Sequence, residues 1–215
     1  MAVELTSREV SEKYDRFARW YDWVEGVPDR LGVSRLRRQL FRRASGKVLE
    51  VAAGTGKNLA YYPPDCRLVA LDLSTEMLKV ARDRAAKLSM HVMFLVADAE
   101  KLPFRDSSFA TVISSLSTCT FPHPVAALNE MARVCSMTGK VLLLEHGRSD
   151  RERIGRWQDR HADRFAKAVG CHWNREPLRL LREAGLKVIG VRRTFWGMFH
   201  QIEAEPWNLV ADRND

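Results

Sequence analysis

The sequence predicts an α/β fold built on a doubly wound, mainly parallel sheet. From residue 47 onward, short segments rich in Val, Leu and Ile alternate with segments of helical periodicity. Parallel strands need crossover connections of this kind, and the crossover helices cover both faces of the sheet. The chain has 215 residues, of which 46% are hydrophobic and 29% charged, enough for a large core. We therefore expect a single domain over residues 1–215.

Two helices are predicted before the first strand. Tyr14 and Tyr21 belong to an apolar series that recurs every three or four residues, so a helix is expected to follow a cap at Ser7. A second apolar stripe follows a break at 26–28 and predicts a second helix. The other faces of the second helix carry five arginines: Arg35, Arg37, Arg38, Arg42 and Arg43.

Strands and helices then alternate along the chain. A helix capped by Asn174 and ended by Gly185 is expected near the C-terminus. Two extended runs follow it in direct succession, which predicts an antiparallel hairpin at the end of a seven-stranded sheet. The strands are expected over 47–51, 67–71, 92–96, 109–114, 140–145, 186–194 and 198–205. The intervening helices are expected near 56–61 and over 75–88 and 123–134.

Composition excludes several classes of protein. Cys66, Cys119, Cys135 and Cys171 form no Cys-x-x-Cys pair, so we expect no zinc knuckle, no disulfide scaffold and no metal site. The longest apolar run, 92–97, is far shorter than the roughly 20 residues of a membrane helix. We therefore expect a cytoplasmic protein. The net charge of +8 allows attraction to nucleic acid, to an anionic membrane or to an acidic ligand, without choosing among them.

The turn after the first strand carries the strongest functional signal. The run Ala52-Ala53-Gly54-Thr55-Gly56 follows an apolar strand, and the next strand ends in Asp72. This arrangement predicts a site for an adenosine-containing cofactor. A dinucleotide fingerprint would place glycine at 52, 54 and 57, but the chain has Ala52 and Lys57 at two of these positions. A P-loop is excluded because no Gly-Lys-Ser/Thr follows, which leaves a glycine-rich turn without a ligand as the other alternative.

The pattern Glu50-x-Ala52-x-Gly54-x-Gly56, with Asp72 and Asp98 after later strands, resembles the class I S-adenosylmethionine-dependent methyltransferases. The resemblance spans 47–145 and implies a Rossmann-like fold with S-adenosyl-L-methionine as cofactor. It implies that the glycine loop approaches the methionine part of the cofactor, that Asp72 binds the ribose hydroxyls and that Asp98 contacts adenine.

The same resemblance suggests further cofactor contacts. Glu50 would orient the loop or reach the methionine ammonium. Leu73 and Met77 would cover the adenine beside Ala99, although a methionine at helical spacing fits the core equally well. The turn Ser114-Ser115-Leu116 would line the cofactor through backbone atoms. Ala52 departs from the glycine of many relatives, but its methyl group removes no polar contact.

Motifs near the two ends of the chain indicate particular branches of this family. Tyr14-Asp15 and Tyr21-Asp22 form a pattern typical of UbiE-like quinone methyltransferases and bacterial phospholipid N-methyltransferases, whose opening helix is a lid. The stretches 144–149 and 170–175 resemble fungal mitochondrial methyltransferase-like proteins and animal enzymes that methylate lipophilic thiols. The resemblance implies a quinone carbon, a phospholipid amine or a thiol as acceptor. It divides the domain into a helical lid (1–46), a cofactor-binding core (47–146), a variable acceptor-site segment (147–173) and a C-terminal helix and hairpin (174–215).

Candidate catalytic groups are expected at the carboxyl ends of the strands, where ligands collect in this kind of sheet. His146 ends the fifth predicted strand and His172 follows the variable segment, so both are candidate bases, with His123 as a third. Each of them fits a structural role equally well. The aromatic residues expected to form an acceptor pocket are Tyr14, Tyr21, Trp157 and Trp173.

Partners are suggested by charge alone. The helix from Arg35 to Arg43 is the candidate contact with an anionic membrane surface, and a solvated helix face is the alternative. Nucleic acid is disfavoured because no aromatic-rich RNA-binding motif accompanies the charge. A non-catalytic binding or assembly protein with the same fold is the alternative function, since the sequence does not require a catalytic base.

Overall fold

A seven-stranded sheet forms the centre of the molecule. The structure, a computed structural model, describes residues 6–24, 26 and 29–206, so the outer ends of the segments 1–46 and 174–215 and residues 27–28 of the predicted break lie outside it. The strands of this described part are β1 (Lys47–Val51), β2 (Arg67–Asp72), β3 (Val92–Val96), β4 (Phe109–Ser115), β5 (Cys135–His146), β6 (Lys187–Thr194) and β7 (Phe199–Glu205).

The strand order confirms the predicted fold class. It is β3-β2-β1-β4-β5-β7-β6, in which β1 to β5 run parallel and β7 runs antiparallel between β5 and β6. Successive side chains of β1 point to opposite faces, so Leu49 and Val51 belong to one apolar cluster and Val48 to the other. The sheet is therefore buried on both sides, as a doubly wound sheet requires.

Six α-helices are present in the described residues. They are α1 (Ser7–Val24), α2 (Ser34–Phe41), α3 (Thr75–Lys87), α4 (Pro124–Val134), α5 (Glu152–Val169) and α6 (Pro177–Glu183). None of them combines the length and the apolar character that crossing a bilayer demands.

Two predicted helix caps were wrong. Thr6, not Ser7, caps α1, because its Oγ1 accepts the Glu9 N–H at 3.3 Å while Glu9 Oε2 accepts the Thr6 N–H at 2.8 Å. This reciprocal pair is a capping box. The last helix begins at Pro177 rather than after Asn174, since proline suits the first turn, where a backbone N–H has no partner within the helix.

Two predicted element boundaries were also wrong. The helix expected near 56–61 is a single 3₁₀ turn, Leu59–Tyr61, which prolines at 63 and 64 cut short. The fifth strand begins at Cys135 rather than at 140, directly after α4, with a register shift against β4.

The arginine helix α2 is not a uniform basic face. Arg37 is only 4% exposed, and its Nη1 donates to Asn58 Oδ1 at 3.0 Å. The Nε of Arg37 pairs with Asp29 at 3.3 Å. Arg43 forms an ion pair with Glu203. Arg37 is therefore a structural residue that ties α2 to the sheet.

Candidate active site

The site lies where the strand order reverses between β1 and β4, at the carboxyl ends of the strands. A cavity opens there under α1, and we call it the glycine-loop cavity. Its lining includes most of the predicted cofactor residues, and it also includes residues of the loop after β4 that the sequence did not indicate. The predicted members are Tyr14, Tyr21, Ala52, Gly54, Asp72, Leu73, Met77, Asp98, Ala99, Ser115 and Leu116, and the others include Ser117, Thr120 and Phe121.

Asp72 organises the floor of the glycine-loop cavity. Its Oδ2 accepts the Gly54 N–H at 2.8 Å and its Oδ1 accepts the Ser74 N–H at 2.9 Å. Burial raises the pKa of this carboxyl, and backbone N–H groups of Ser74, Gly54 and Leu73 oppose that rise. Each oxygen keeps a further lone pair for a ligand hydroxyl. Asp72 can therefore hold the loop and a diol at once.

The glycine turn is shaped to leave room for a ligand. Gly54 has φ 56°, and a Cβ placed on it would meet nothing within 4 Å. The backbone is therefore accessible from the cavity. Ala52 also has a positive φ, 55°, a conformation that glycine adopts without steric cost. Glycine would therefore fit position 52 without the steric cost that alanine incurs there.

Three residues expected to contact the cofactor do not line the glycine-loop cavity. Glu50 is buried behind it, where its oxygens accept from Asn58 Nδ2 at 2.7 Å and from the Tyr62 hydroxyl at 3.0 Å. Burial raises the pKa of Glu50 to about 7. The second is Gly56, where an added Cβ would press on Leu59 and Ala81. The third is Ser114, whose hydroxyl donates to the Val51 carbonyl at 2.7 Å.

Helix α1 forms the roof of the glycine-loop cavity. The Ser11 hydroxyl donates to the Leu73 carbonyl at 3.3 Å, and Asp15 Oδ1 accepts from the Ser74 hydroxyl at 2.5 Å. Under this roof the cavity measures only about 80 Å³, below the roughly 300 Å³ at which small-molecule sites begin.

A second cavity of about 370 Å³, which we call the apolar cavity, adjoins the first. Tyr14, Tyr21 and Leu116 line both cavities, and the two tyrosine rings lie 6.0 Å apart. Burial raises the pKa of Tyr14 well above its usual value, so its hydroxyl stays neutral. The remaining walls of the apolar cavity are mainly hydrophobic and include Phe165, Val169, Trp173, Met198 and Phe199.

The structure brings one of the predicted bases into the apolar cavity. His146 lines it, and its Nε2 lies 3.3 Å from Cys171 Sγ. Cys119 completes the group, and the three side-chain ligand atoms all lie within 4.8 Å of one another. A hydrogen bond with Cys171 and burial both raise the pKa of Cys119. The sequence signal for this group was only the resemblance around residues 144–149 and 170–175.

Of the other residues predicted for the acceptor site, only some line the apolar cavity. His172 lines neither cavity, and its backbone N–H donates to the Cys119 carbonyl at 2.9 Å. His123 is exposed and also lines neither. Trp173 lines the apolar cavity, where it stacks on Phe165 with ring centroids 4.2 Å apart. Trp157 packs on Trp173 from outside and remains 51% exposed.

Comparison with known proteins identifies relatives over most of the chain. A family model described as a methyltransferase domain matches residues 49–143. A phosphatidylethanolamine N-methyltransferase of Cereibacter sphaeroides is 30% identical over 182 residues, which cover 84% of this chain and 88% of that protein. The ubiquinone/menaquinone C-methyltransferase UbiE of Pseudomonas putida is 30% identical over 175 residues, covering 76% and 68%.

A longer relative and a solved structure extend the comparison. The mitochondrial methyltransferase OMS1 of Saccharomyces cerevisiae is 27% identical over 230 residues, which cover 97% of this chain. They cover 47% of that protein, so this chain spans about half its length. A possible histamine N-methyltransferase from Thermotoga maritima has the same fold, with a TM-score of 0.70, 22% identity and coverage of 92% of this chain and 100% of that chain.

Proposed function

This chain belongs to the class I S-adenosylmethionine-dependent methyltransferases, and we propose that its acceptor is a small lipophilic molecule held in the apolar cavity. The family, the enzyme class and the cofactor suggested by the sequence are confirmed. When bound, S-adenosylmethionine supplies an electrophilic methyl group on a sulfonium sulfur. The chain must therefore bind this cofactor, place a nucleophile beside it and exclude water.

The glycine-loop cavity has the hydrogen-bond acceptors that this cofactor needs. We assign the ribose hydroxyls to Asp72, whose two oxygens already fix the loop through Gly54 and Ser74. Asp98 lines the same cavity, and one of its oxygens accepts the Glu100 N–H at 2.9 Å. Its other oxygen is the acceptor that we assign to the adenine amine.

The observation that carries the acceptor proposal is the shared wall of the two cavities. Tyr14, Tyr21 and Leu116 line both of them, so these residues contact a molecule in the apolar cavity and a cofactor in the glycine-loop cavity alike. Tyrosine ring faces stabilise a neighbouring cation such as a sulfonium. We propose that the two tyrosines line the route of methyl transfer.

The lining of the apolar cavity favours some acceptors over others. No aspartate or glutamate of the described residues lines it, so it offers no counter-charge to the ammonium form of a phospholipid amine. A thiol or a quinone ring carbon needs only an apolar site and removal of a proton. Of the three candidate bases, only His146 lines this cavity.

Filling the apolar cavity tests the proposal. Val169→Trp is expected to raise the KM for the acceptor at least about tenfold, because a pocket that is wrong by a single methylene already changes discrimination by roughly 10-fold or more. Transfer of a radiolabelled methyl group to a panel of lipophilic thiols, quinones and phospholipids measures this effect. Affinity for S-adenosylmethionine, measured by calorimetry, is expected to stay unchanged.

Ala168→Trp is the matched control, since Ala168 is the neighbouring exposed residue and lines neither cavity. It should leave the acceptor KM near the wild-type value. Equal kinetics for the two tryptophan variants would place the acceptor outside the apolar cavity. Intact cofactor binding with no product across the whole panel would favour a non-catalytic role.

We also propose a membrane contact, carried by a patch different from the predicted helix face. Leu31 and Trp196 are 69% and 60% exposed, and Phe195, the neighbour of Trp196 in the chain, lies against Gly32, the neighbour of Leu31. Arg35 is exposed beside this patch. Apolar side chains next to arginine are suited to an anionic lipid surface, where each basic residue contributes about 1 kcal/mol.

Liposome co-sedimentation tests the membrane contact. At low salt the wild-type protein is expected to pellet with anionic vesicles, and the double variant Leu31→Ser/Trp196→Ser should stay in the supernatant. Met93→Ser is the control, because Met93 is 66% exposed on the edge strand β3, outside the patch. Equal sedimentation of all three proteins, or none at all, would contradict a lipid contact at this patch.

A further inference from the structure

Three potential metal ligands meet in the apolar cavity. Cys119 follows β4, His146 ends β5 and Cys171 follows α5, so their chain positions are far apart. Their ligand atoms nevertheless lie within 4.8 Å of one another, and His146 Nε2 is 3.3 Å from Cys171 Sγ. All three side chains face the same cavity. Two sulfurs and an imidazole nitrogen are ligands that Zn²⁺ prefers.

We propose that Cys119, His146 and Cys171 bind a zinc-like cation whose open coordination position faces the apolar cavity and receives a thiol acceptor. This proposal rests on the methyltransferase function stated above and specifies its acceptor. Catalytic zinc sites have three protein ligands and one open position, whereas structural sites have four protein ligands. The three residues here match the first kind.

The distances suit a tetrahedral site after a small adjustment. Zinc–sulfur bonds of about 2.3 Å and zinc–nitrogen bonds of about 2.0 Å place neighbouring ligand atoms roughly 3.5 to 3.8 Å apart. The distance of 3.3 Å between His146 Nε2 and Cys171 Sγ is already close to this range. The other two pairs of ligand atoms are at most 4.8 Å apart, so they must approach each other by no more than about 1 Å. Rotation of the cysteine side chains is sufficient for such a change.

Backbone hydrogen bonds hold the ligand-bearing loops together. The His172 N–H donates to the Cys119 carbonyl at 2.9 Å, which joins the segments that carry the two cysteines. The Arg175 side chain donates to the Thr118 carbonyl and, at 2.8 Å, to the Phe121 carbonyl. Ligands positioned in this way lose little conformational freedom when a metal binds.

The charges around the site suit a metal–thiolate complex. Two thiolates and a neutral imidazole balance the double charge of the cation, so the loaded site is neutral in an apolar wall. A bound acceptor thiolate adds one negative charge. The guanidinium of Arg175 lies within electrostatic reach of Cys119 and Cys171, and also of Glu145 and Glu100.

At this site the acceptor thiol would be methylated on its sulfur. On binding the cation the acceptor thiol loses its S–H proton to water, and its sulfur keeps the electron pair. That pair forms the new carbon–sulfur bond with the methyl group, while the bond between the methyl group and the sulfonium breaks and leaves its electrons on the cofactor sulfur. The product thioether is a weaker ligand than a thiolate and is released. His146 then acts by holding the cation rather than by taking the proton itself.

Zinc titration of the reduced, metal-free protein tests the site without any methyl transfer. The wild-type chain is expected to bind one Zn²⁺, and Co²⁺ in its place should show thiolate-to-metal charge-transfer absorption. Cys171→Ser should weaken zinc binding more than about 100-fold, because one of three ligands is lost. Cys66→Ser is the control, since Cys66 lies at the start of β2, outside the group.

A second measurement covers the case in which a variant folds poorly. Bound zinc should protect Cys119 and Cys171 of the wild-type protein from alkylation, read by mass spectrometry, and leave Cys66 reactive. Equal alkylation with and without zinc, loss of binding in Cys66→Ser alone, or a Cys119–Cys171 disulfide in the purified protein would overturn the proposal.

Cofactor calorimetry separates the two proposals. Wild-type protein that binds S-adenosylmethionine and methylates an acceptor but takes up no zinc overturns the metal site and leaves the methyltransferase function standing. Protein that binds zinc but methylates no thiol overturns the acceptor assignment, and protein that binds zinc but no cofactor overturns the function on which it rests.

Discussion

Replacing Asp72 with asparagine is expected to lower the affinity for S-adenosylmethionine by at least about 100-fold. The carboxylate accepts backbone N–H groups from Gly54 and Ser74 and keeps further lone pairs for the ribose. Asparagine has one acceptor oxygen, so it cannot hold both backbone groups and bind a diol. Hydrogen bonds to a charged group contribute about 1.5 to 3 kcal/mol each, and loss of two corresponds to a factor of roughly 100 or more.

Isothermal titration calorimetry with S-adenosylmethionine measures the effect of Asp72→Asn directly. Asp83→Asn is the control because Asp83 is exposed on α3 and does not line the glycine-loop cavity. The control variant should bind like the wild-type protein, and both variants should keep their helical circular dichroism. Binding by Asp72→Asn within a few-fold of the wild-type affinity would show that Asp72 is not the ribose ligand.

The glycine-loop cavity was largely predictable because its residues follow one another along the chain. Ala52 and Gly54 lie in one turn, and Asp72 and Asp98 each follow a parallel strand, whose carboxyl ends meet at one edge of the sheet. Of the turn formed by Ser114, Ser115 and Leu116, only the last two residues line the cavity. Ser114 pairs with Val51 in the sheet, and its hydroxyl donates to the Val51 carbonyl.

The apolar cavity could not be derived from spacing. Cys119 and Cys171 are far apart in the chain, and long-range bonds such as that from the His172 N–H to the Cys119 carbonyl bring their segments together. Arg37 shows the same limit, since it lies among exposed arginines in the sequence. It is buried because Asn58, which is distant in the chain, accepts its guanidinium. Partners at long range decide the environment of a polar side chain, and a one-dimensional pattern does not contain them.

Glu50 is expected to make the stability of the protein fall as the pH rises. Burial raises its pKa from a usual value of 4.5 to about 7, so the folded state holds a proton that the unfolded state has already released. Its contribution to stability is complete below about pH 4.5 and is lost as the pH rises through 7. A shift of this size corresponds to roughly 3 kcal/mol in the free energy of unfolding.

Glu50→Gln should remove that dependence, because an amide stays neutral at every pH and still hydrogen-bonds Asn58 and Tyr62. Urea unfolding at pH 5 and at pH 8 measures it, and the variant should gain roughly 2 to 3 kcal/mol on the wild-type protein between the two values. Asp72 and Glu145, whose pKa values burial also raises, are present in both proteins and cancel. Glu183→Gln, at an exposed position, should follow the wild-type profile. Parallel profiles for Glu50→Gln and wild type would mean that Glu50 ionises at its usual pKa, and its bonds to Asn58 and Tyr62 would then outweigh the cost of burying its charge.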